Sequence, residues 1–168
     1  TKGAALALLA QVHATKPVPD YAKVVEYTDQ LMGQGYSLLP NYDHLFDGNH
    51  TANAESIFEI NGNGGSIYWW GVFMFTGDDW KKFNTPSNDL VKAFNDEGDT
   101  VRKTSSVKFQ AVGWADSYWP SSNYPFAWKQ RDTSGNQNVY ILRYADMLLL
   151  RAEAKVRLGD YTGAAALV

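Results

Sequence analysis

Between residues 68 and 80 the chain gathers Tyr68, Trp69, Trp70, Asp78, Asp79 and Trp80 in a glycine-rich neighbourhood. Sugar rings present apolar C–H faces that stack on flat aromatic rings, and their hydroxyls exchange hydrogen bonds with nearby Asp, Asn, Gln and Arg. An aromatic ring supplies this contact area at low entropic cost. The chain holds 6 Trp, 10 Tyr and 8 Phe, and all six tryptophans (Trp69, Trp70, Trp80, Trp114, Trp119, Trp128) fall in its middle. Loops carry binding while the elements around them carry packing, so the set from Tyr68 to Trp80 is the expected ligand contact.

Other chemistries are weaker. Asp78, Asp79, Asp96, Glu97 and Asp99 could suggest a pair of glycosidase carboxylates, but nearness in sequence does not set the roughly 5 to 9.5 Å separations that such catalysis needs. They read as solvated charges, and no catalytic residue is expected. Asp78 and Asp79 lack the spaced oxygen ligands of an EF-hand calcium loop. His44 and His50 lie six apart, not at the i, i+4 spacing of a zinc helix, and His13 sits in an apolar run, so all three are expected at the surface or in hydrogen bonds. No metal and no cofactor are expected. The run Gly62-Asn63-Gly64-Gly65 lacks the third glycine of a dinucleotide fingerprint and reads as a turn. Arg143 and Arg151 flank an apolar helix, where arginines pair with carboxylates or cover apolar surface with their stems.

Composition narrows the classes further. Lys and Arg number 15 against 18 Asp and Glu, a net charge of -3 with no basic block, so nucleic acid has no electrostatic footprint. The absence of cysteine excludes disulfides, thiol catalysis and Cys-based metal sites in this chain. No apolar run approaches the roughly 20 residues of a membrane helix.

The elements that must position these residues are mostly helical. Gly3 to Ala14 is rich in Ala and Leu and apolar nearly all round, the mark of a buried helix. After Lys16-Pro17-Val18-Pro19, the stretch Tyr21 to Met32 places Tyr21, Val24, Val25, Thr28, Leu31 and Met32 on one face. Asp20 is its expected N-cap and Gly33 its stop, and the short break predicts antiparallel packing of the two helices. A second pair begins at Tyr144, with Tyr144, Ala145, Leu148, Leu149, Ala152 and Val156 as its apolar stripe and Glu153–Arg157 as an i, i+4 pair. Leu158-Gly159 ends that helix and Asp160-Tyr161 opens the next.

Two such pairs, each with a second helix opening on Asp-Tyr, resemble tetratricopeptide units, which need stacked neighbours. The chain is on this reading a piece of a longer one. Between the pairs, Glu55 to Ile60 alternates like a strand and could form a hairpin with Ser66 to Phe75. Ser87 to Asn95 reads as a short helix packing Leu90, Val91 and Phe94, and Gly113 to Gly135 reads as loop.

In order along the chain, Thr1–Ala10 (TKGAALALLA), the Asp20-Tyr21 helix, residues 35–42 (GYSLLPNY), Glu55–Ile60 (ESIFEI), Leu90–Phe94 (LVKAF) and Gly98–Arg102 (GDTVR) resemble the SusD/RagB family. Leu142–Ala154 (LRYADMLLLRAEA) is similar to that family's final helix motif almost residue for residue. The matching blocks cover about half the chain. Thr100-Val101 departs from the Pro that usually precedes the equivalent of Arg102, and the Trp-rich blocks at 61–85 and 103–138 follow no family pattern.

The resemblance implies a glycan-binding lipoprotein of the bacterial outer-membrane surface, of Bacteroidetes type, that is not an enzyme. It would pass substrate to a SusC-like TonB-dependent transporter, and its lipid-anchored cysteine would lie upstream. The expected fold is mainly α: tetratricopeptide-like helix pairs at 1–32 and 139–168 within one SusD-like domain, bracketing a loop-rich, Trp-rich insert at 33–138 with a small β element. The second reading is a helical-repeat scaffold that binds protein and uses its aromatics as core; a degradative enzyme is third.

Overall fold

The computed structural model describes residues 1–62, 74, 81–114 and 117–168. The chain divides into two compact units: Thr1–Leu39 with Ala52–Ile60 and Tyr140–Val168, and Pro40–Thr51 with Asn61–Val139. Helix predominates, with small two-stranded sheets.

The first unit is built from helices whose ends are written locally. Helix α1 (Lys2–Thr15) starts on Thr1, whose hydroxyl accepts from Ala4 N–H. Helix α2 (Tyr21–Met32) starts on Asp20, which accepts from Lys23 N–H at 3.1 Å, and stops at Gly33. The two run antiparallel, since Leu6 and Ala7 near the start of α1 cluster with Leu31 near the end of α2, while Ala10 clusters with Val24.

Within the first unit, expectation and structure part at two helix faces. Helix α1 buries Gly3, Leu6, Ala7 and Ala10, a 3–4 residue stripe, but Leu8 and Val12 are 49% and 58% exposed. Its uniform apolarity therefore does not mean burial on all sides in this chain; only the stripe facing α2 and the helix that begins at Tyr144 is covered.

That helix, α5 (Tyr144–Arg157), buries Tyr144, Met147, Ala152 and Ala154. Leu149, expected in the core, is 56% exposed, Val156 is also exposed, and Leu148 is only half-buried. Met147 to Leu150 are apolar in every helical phase, so periodicity could not choose among them. The choice is made by packing: Met147 and Tyr144 join Leu6, Leu31, Ile57 and Leu142. The Glu153–Arg157 pair forms at 3.7 Å. Gly159, at φ +84°, turns the chain into α6 (Tyr161–Ala165), capped by Asp160 accepting from Gly163 N–H.

Strand β1 (Ser56–Ile60) pairs with β4 (Val139–Arg143), a partner about eighty residues away that the sequence did not suggest. The expected hairpin strand Ser66 to Phe75 falls, apart from Met74, outside the described residues.

In the second unit a 3₁₀ turn (Tyr42–Leu45) is followed by α3 (Asn88–Glu97), with Ser87 accepting from Leu90 N–H at 3.1 Å. Val91 is buried, but Leu90 is exposed, contrary to the expected face. Gly98 closes α3 in the left-handed conformation, and Asp99 caps α4 (Thr100–Ser106), which runs into β2 (Val107–Gln110).

Strand β2 pairs antiparallel with β3 (Tyr124–Ala127) in the register Val107↔Ala127, Lys108↔Phe126, Phe109↔Pro125, Gln110↔Tyr124. The expected loop from Gly113 to Gly135 thus contains a strand. Pro125 concealed it, because proline cannot donate to a ladder. Trp128 N–H bonds Ser106 O in the same register, so alternate pairs fall on Lys108↔Phe126 and Gln110↔Tyr124. Pro125 then occupies a non-hydrogen-bonded position where its missing N–H costs nothing.

Candidate functional site

Tyr68, Trp69, Trp70, Asp78, Asp79 and Trp80, the ligand contacts expected from sequence, lie outside the described residues. The other tryptophans sit on or beside the β2–β3 ladder. Tyr124, Pro125 and Phe126 of that ladder are almost fully buried. Trp114 meets the Tyr124 ring edge-on at 4.8 Å and the Phe126 ring at 6.2 Å. Trp119 meets Phe109 at 6.0 Å, also edge-on, and Tyr118 beside it is 77% exposed. Such T-shaped pairs add roughly 0.5–1.5 kcal/mol beyond area burial and hold rings in defined orientations.

Cations cover another ring of this unit. Lys108 Nζ lies 4.5 Å from the centre of the Trp128 ring, and the Arg131 guanidinium carbon lies 5.7 Å from it. Arg131 in turn forms a two-pronged pair with Asp43, Nη1 to Oδ1 at 3.0 Å and Nη2 to Oδ2 at 2.7 Å. Those bonds are the main reason that the Asp43 carboxyl titrates below the usual range, against the opposing effect of burial. Asp132 likewise titrates low: burial pushes it up, but Ser134 O–H and N–H and the Asn136 N–H, all donating to its carboxylate, outweigh that.

The hairpin end therefore offers an exposed phenol, a half-buried indole and a half-buried phenyl ring. That arrangement can stack against a flat apolar face. Sequence reasoning places Trp119 among the candidate tryptophans but treats this stretch as loop. It misses Tyr118 and Phe109 because nothing in their local spacing separates a ring at a hairpin end from one in a core.

The chain from Tyr42 to His50 holds a second group of functional side chains. His44 and His50, which spacing alone sets aside, and Asp47, which the sequence did not single out, place their ligand-type atoms within 4.8 Å of one another. The two imidazoles stack with centroids 3.8 Å apart, and His50 Nδ1 lies 2.7 Å from Asp47 Oδ2. Burial raises the Asp47 carboxyl, but the Asn49 N–H and the His50 ring lower it further than burial raises it, so it too titrates below the usual range.

Arg143 and Arg151 take the structural roles expected of them. Arg143 pairs with Glu55 at 2.6 Å and Arg151 with Asp29 at 2.5 Å. Among the described residues no helix is long and apolar enough to cross a membrane.

No curated protein matches this sequence. Among solved structures, the chain is similar to a SusD superfamily protein from Bacteroides thetaiotaomicron, with a TM-score of 0.71 and 19% identity over 98% of this chain and 39% of that one. It is similar also to surface glycan-binding protein A from the same organism, with a TM-score of 0.74 and 17% identity over 99% of this chain and 46% of that one. A laminarin-binding SusD-like protein matches with a TM-score of 0.64 and 22% identity over 90% of this chain and 43% of that one. The chain thus spans about two fifths of the length of these structures. The SusD family model matches residues 15–168, from the last residue of α1 through α2 and on to the end of the chain, and the chain belongs to the SusD family.

Proposed function

We propose that the protein of which this chain forms part captures a glycan at the bacterial outer-membrane surface and delivers it to a SusC-like TonB-dependent transporter. It acts as a binding protein and not as an enzyme, held to the membrane by a lipid anchor. The observation that carries this reading is the ring set at the end of the β2–β3 hairpin, Tyr118 exposed with Trp119 and Phe109 beside it, in a chain of the SusD family. Two of the similar structures are named for glycan binding and laminarin binding, which supports the ligand class. Tyr68, Trp69, Trp70, Asp78, Asp79 and Trp80 are proposed as further ligand contacts, on the chemistry of their side chains.

Affinity electrophoresis of the full-length protein through gels containing neutral polysaccharides, laminarin among them, tests the reading. Retardation in at least one gel, weakened by Trp69→Ala, Trp80→Ala or Trp119→Ala, is the expected result. No retardation in any gel would overturn it, and release of reducing sugar would overturn the assignment as a binding protein. Loss of a purified SusC-like partner from pull-downs would be the corresponding failure for delivery.

A second reading, a helical-repeat scaffold that binds protein, is favoured by one feature of the first unit. Leu8, Val12, Ala14 and Leu150 line a groove of about 440 Å³ whose rim carries Gln11 and Asp146. Unaltered glycan binding in Leu8→Asp and Val12→Asp variants, with partner capture lost, would assign that groove to a protein contact alone.

A further inference from the structure

His44 lies in the 3₁₀ turn Tyr42–Leu45, and the bent chain that follows it, through Gly48 at φ +76°, brings Asp47 and His50 back beside it. Two imidazoles and one carboxylate make a mixed nitrogen and oxygen donor set, the kind that binds zinc and its first-row neighbours in preference to magnesium or calcium. We propose that these three residues form a binding site for a divalent transition-metal ion, zinc first, with each side chain supplying one ligand atom and water completing the coordination.

The distances fit this use. A tetrahedral zinc ion holds its ligand atoms about 3.4 Å apart. The His50 Nδ1 to Asp47 Oδ2 edge is 2.7 Å, and no pair of ligand atoms in the trio is farther apart than 4.8 Å. The two imidazoles lie stacked at 9°, so a shared ion requires one ring to turn about its side-chain bonds, opening the first edge and closing the widest one.

The backbone beneath the trio is held by other bonds. Asp43, next to His44, is clamped by both arms of Arg131. Tyr42 and Phe46 pack edge to face at 5.2 Å, with Lys129 Nζ over both rings. Asp47 Oδ1 accepts from the N–H groups of Asn49 and His50, which orients the carboxylate. A site whose supports stand without the metal loses little entropy on binding it. The His50 side chain is 44% exposed, which leaves a path for the ion and for a water ligand.

One other histidine lies beside a carboxylate, His13 at 3.9 Å from Asp20, but it offers a single imidazole and serves as the internal control. Isothermal titration of ZnCl₂ into the chelator-treated full-length protein is the test. One zinc per chain is expected. The affinity should fall at least as far as the roughly 10–100-fold that outer-shell partners are worth, in His44→Ala and in His50→Ala alike. His13→Ala should bind as the parent does. Cobalt loading should give a visible d–d absorption that the same two variants lose. If His44→Ala fails to fold by circular dichroism, His50→Ala, whose ring is solvent-exposed, supplies the decision. Absence of saturable binding, or equal binding in the parent and in a folded His50→Ala, would overturn the site. Neither result bears on glycan retardation, which is measured separately.

Discussion

Arg143 Nη1 donates to Glu55 Oε1 at 2.6 Å, and Glu55 is only 3% exposed. The other carboxylate oxygen of Glu55 accepts from Leu39 N–H at 3.1 Å, and its backbone carbonyl accepts from Tyr144 N–H at 2.9 Å. One residue thereby joins the chain that follows α2, the start of β1 and the first amide of α5. Glu55→Ala would leave Arg143 and the Leu39 N–H without this acceptor. Removing one partner of a buried ion pair costs about 3–5 kcal/mol; with Arg143 partly exposed, the expected loss is about 3 kcal/mol. Urea denaturation measures it. Glu55→Gln should recover part of the loss, and a change below about 1 kcal/mol would place the pair with exposed salt bridges.

Gly62 is expected to tolerate no side chain. A Cβ there would come within 2.6 Å of the Asn136 carbonyl carbon and of Gly135 O, and within 2.7 Å of Gln137 O. These are backbone atoms that cannot rotate aside, and Gly62 N–H also bonds Asn138 Oδ1 at 3.1 Å. Gly62→Ala should cost about 1–3 kcal/mol, the range for overpacking. Gly113, where an added Cβ meets nothing within 4 Å, is the matched control and should change little. Thermal denaturation of the two variants gives the comparison.

Acid should weaken the second unit through Asp43 and Asp132, whose folded-state pKa values both lie below their unfolded ones. A depressed carboxyl stabilises the fold fully above the unfolded value, near 3.9, and loses that contribution as pH falls through the lower folded value. Stability from these groups should therefore be flat above about pH 5 and decline below about pH 4. Asp132→Asn should flatten the decline while lowering stability at neutral pH. Denaturant titrations across the acid range would detect it; an unchanged slope would mean that other carboxyls carry the acid response.

Tyr118 and Tyr124 should behave as opposites. Tyr124 is fully buried against Trp114 and Phe126, so Tyr124→Ala should cost about 3–5 kcal/mol of stability. Tyr118→Ala should leave the melting temperature almost unchanged and weaken polysaccharide binding by about 1–3 kcal/mol, as for other rings that stack on flat ligands. Calorimetry with the retarding polysaccharide distinguishes them. A lower melting temperature with unchanged affinity would return Tyr118 to a packing role.

The ends of several helices and the family were legible in the order of residues alone. Asp20 and Gly33 bound α2, Ser87 opens α3, and Asp160 opens α6, each as expected, because caps and stops are made by side chains within three or four residues of the backbone they satisfy. The motif from Leu142 to Ala154 pointed to the SusD family for the same reason: it is a continuous run. Packing chose which face of α5 is buried, since Met147, Leu148, Leu149 and Leu150 offer apolar surface all round until Leu31 and Ile57 select one side. It also decided that β1 pairs with β4, that Pro125 lies inside a strand, and that Arg131 reaches Asp43 across 88 positions. His44, Asp47 and His50 are near in sequence, yet their convergence depends on how the turn and the chain beyond it are folded. Local rules fix what a residue does to its own backbone; which distant groups meet is settled by the packing that buries the most apolar surface while leaving charges paired.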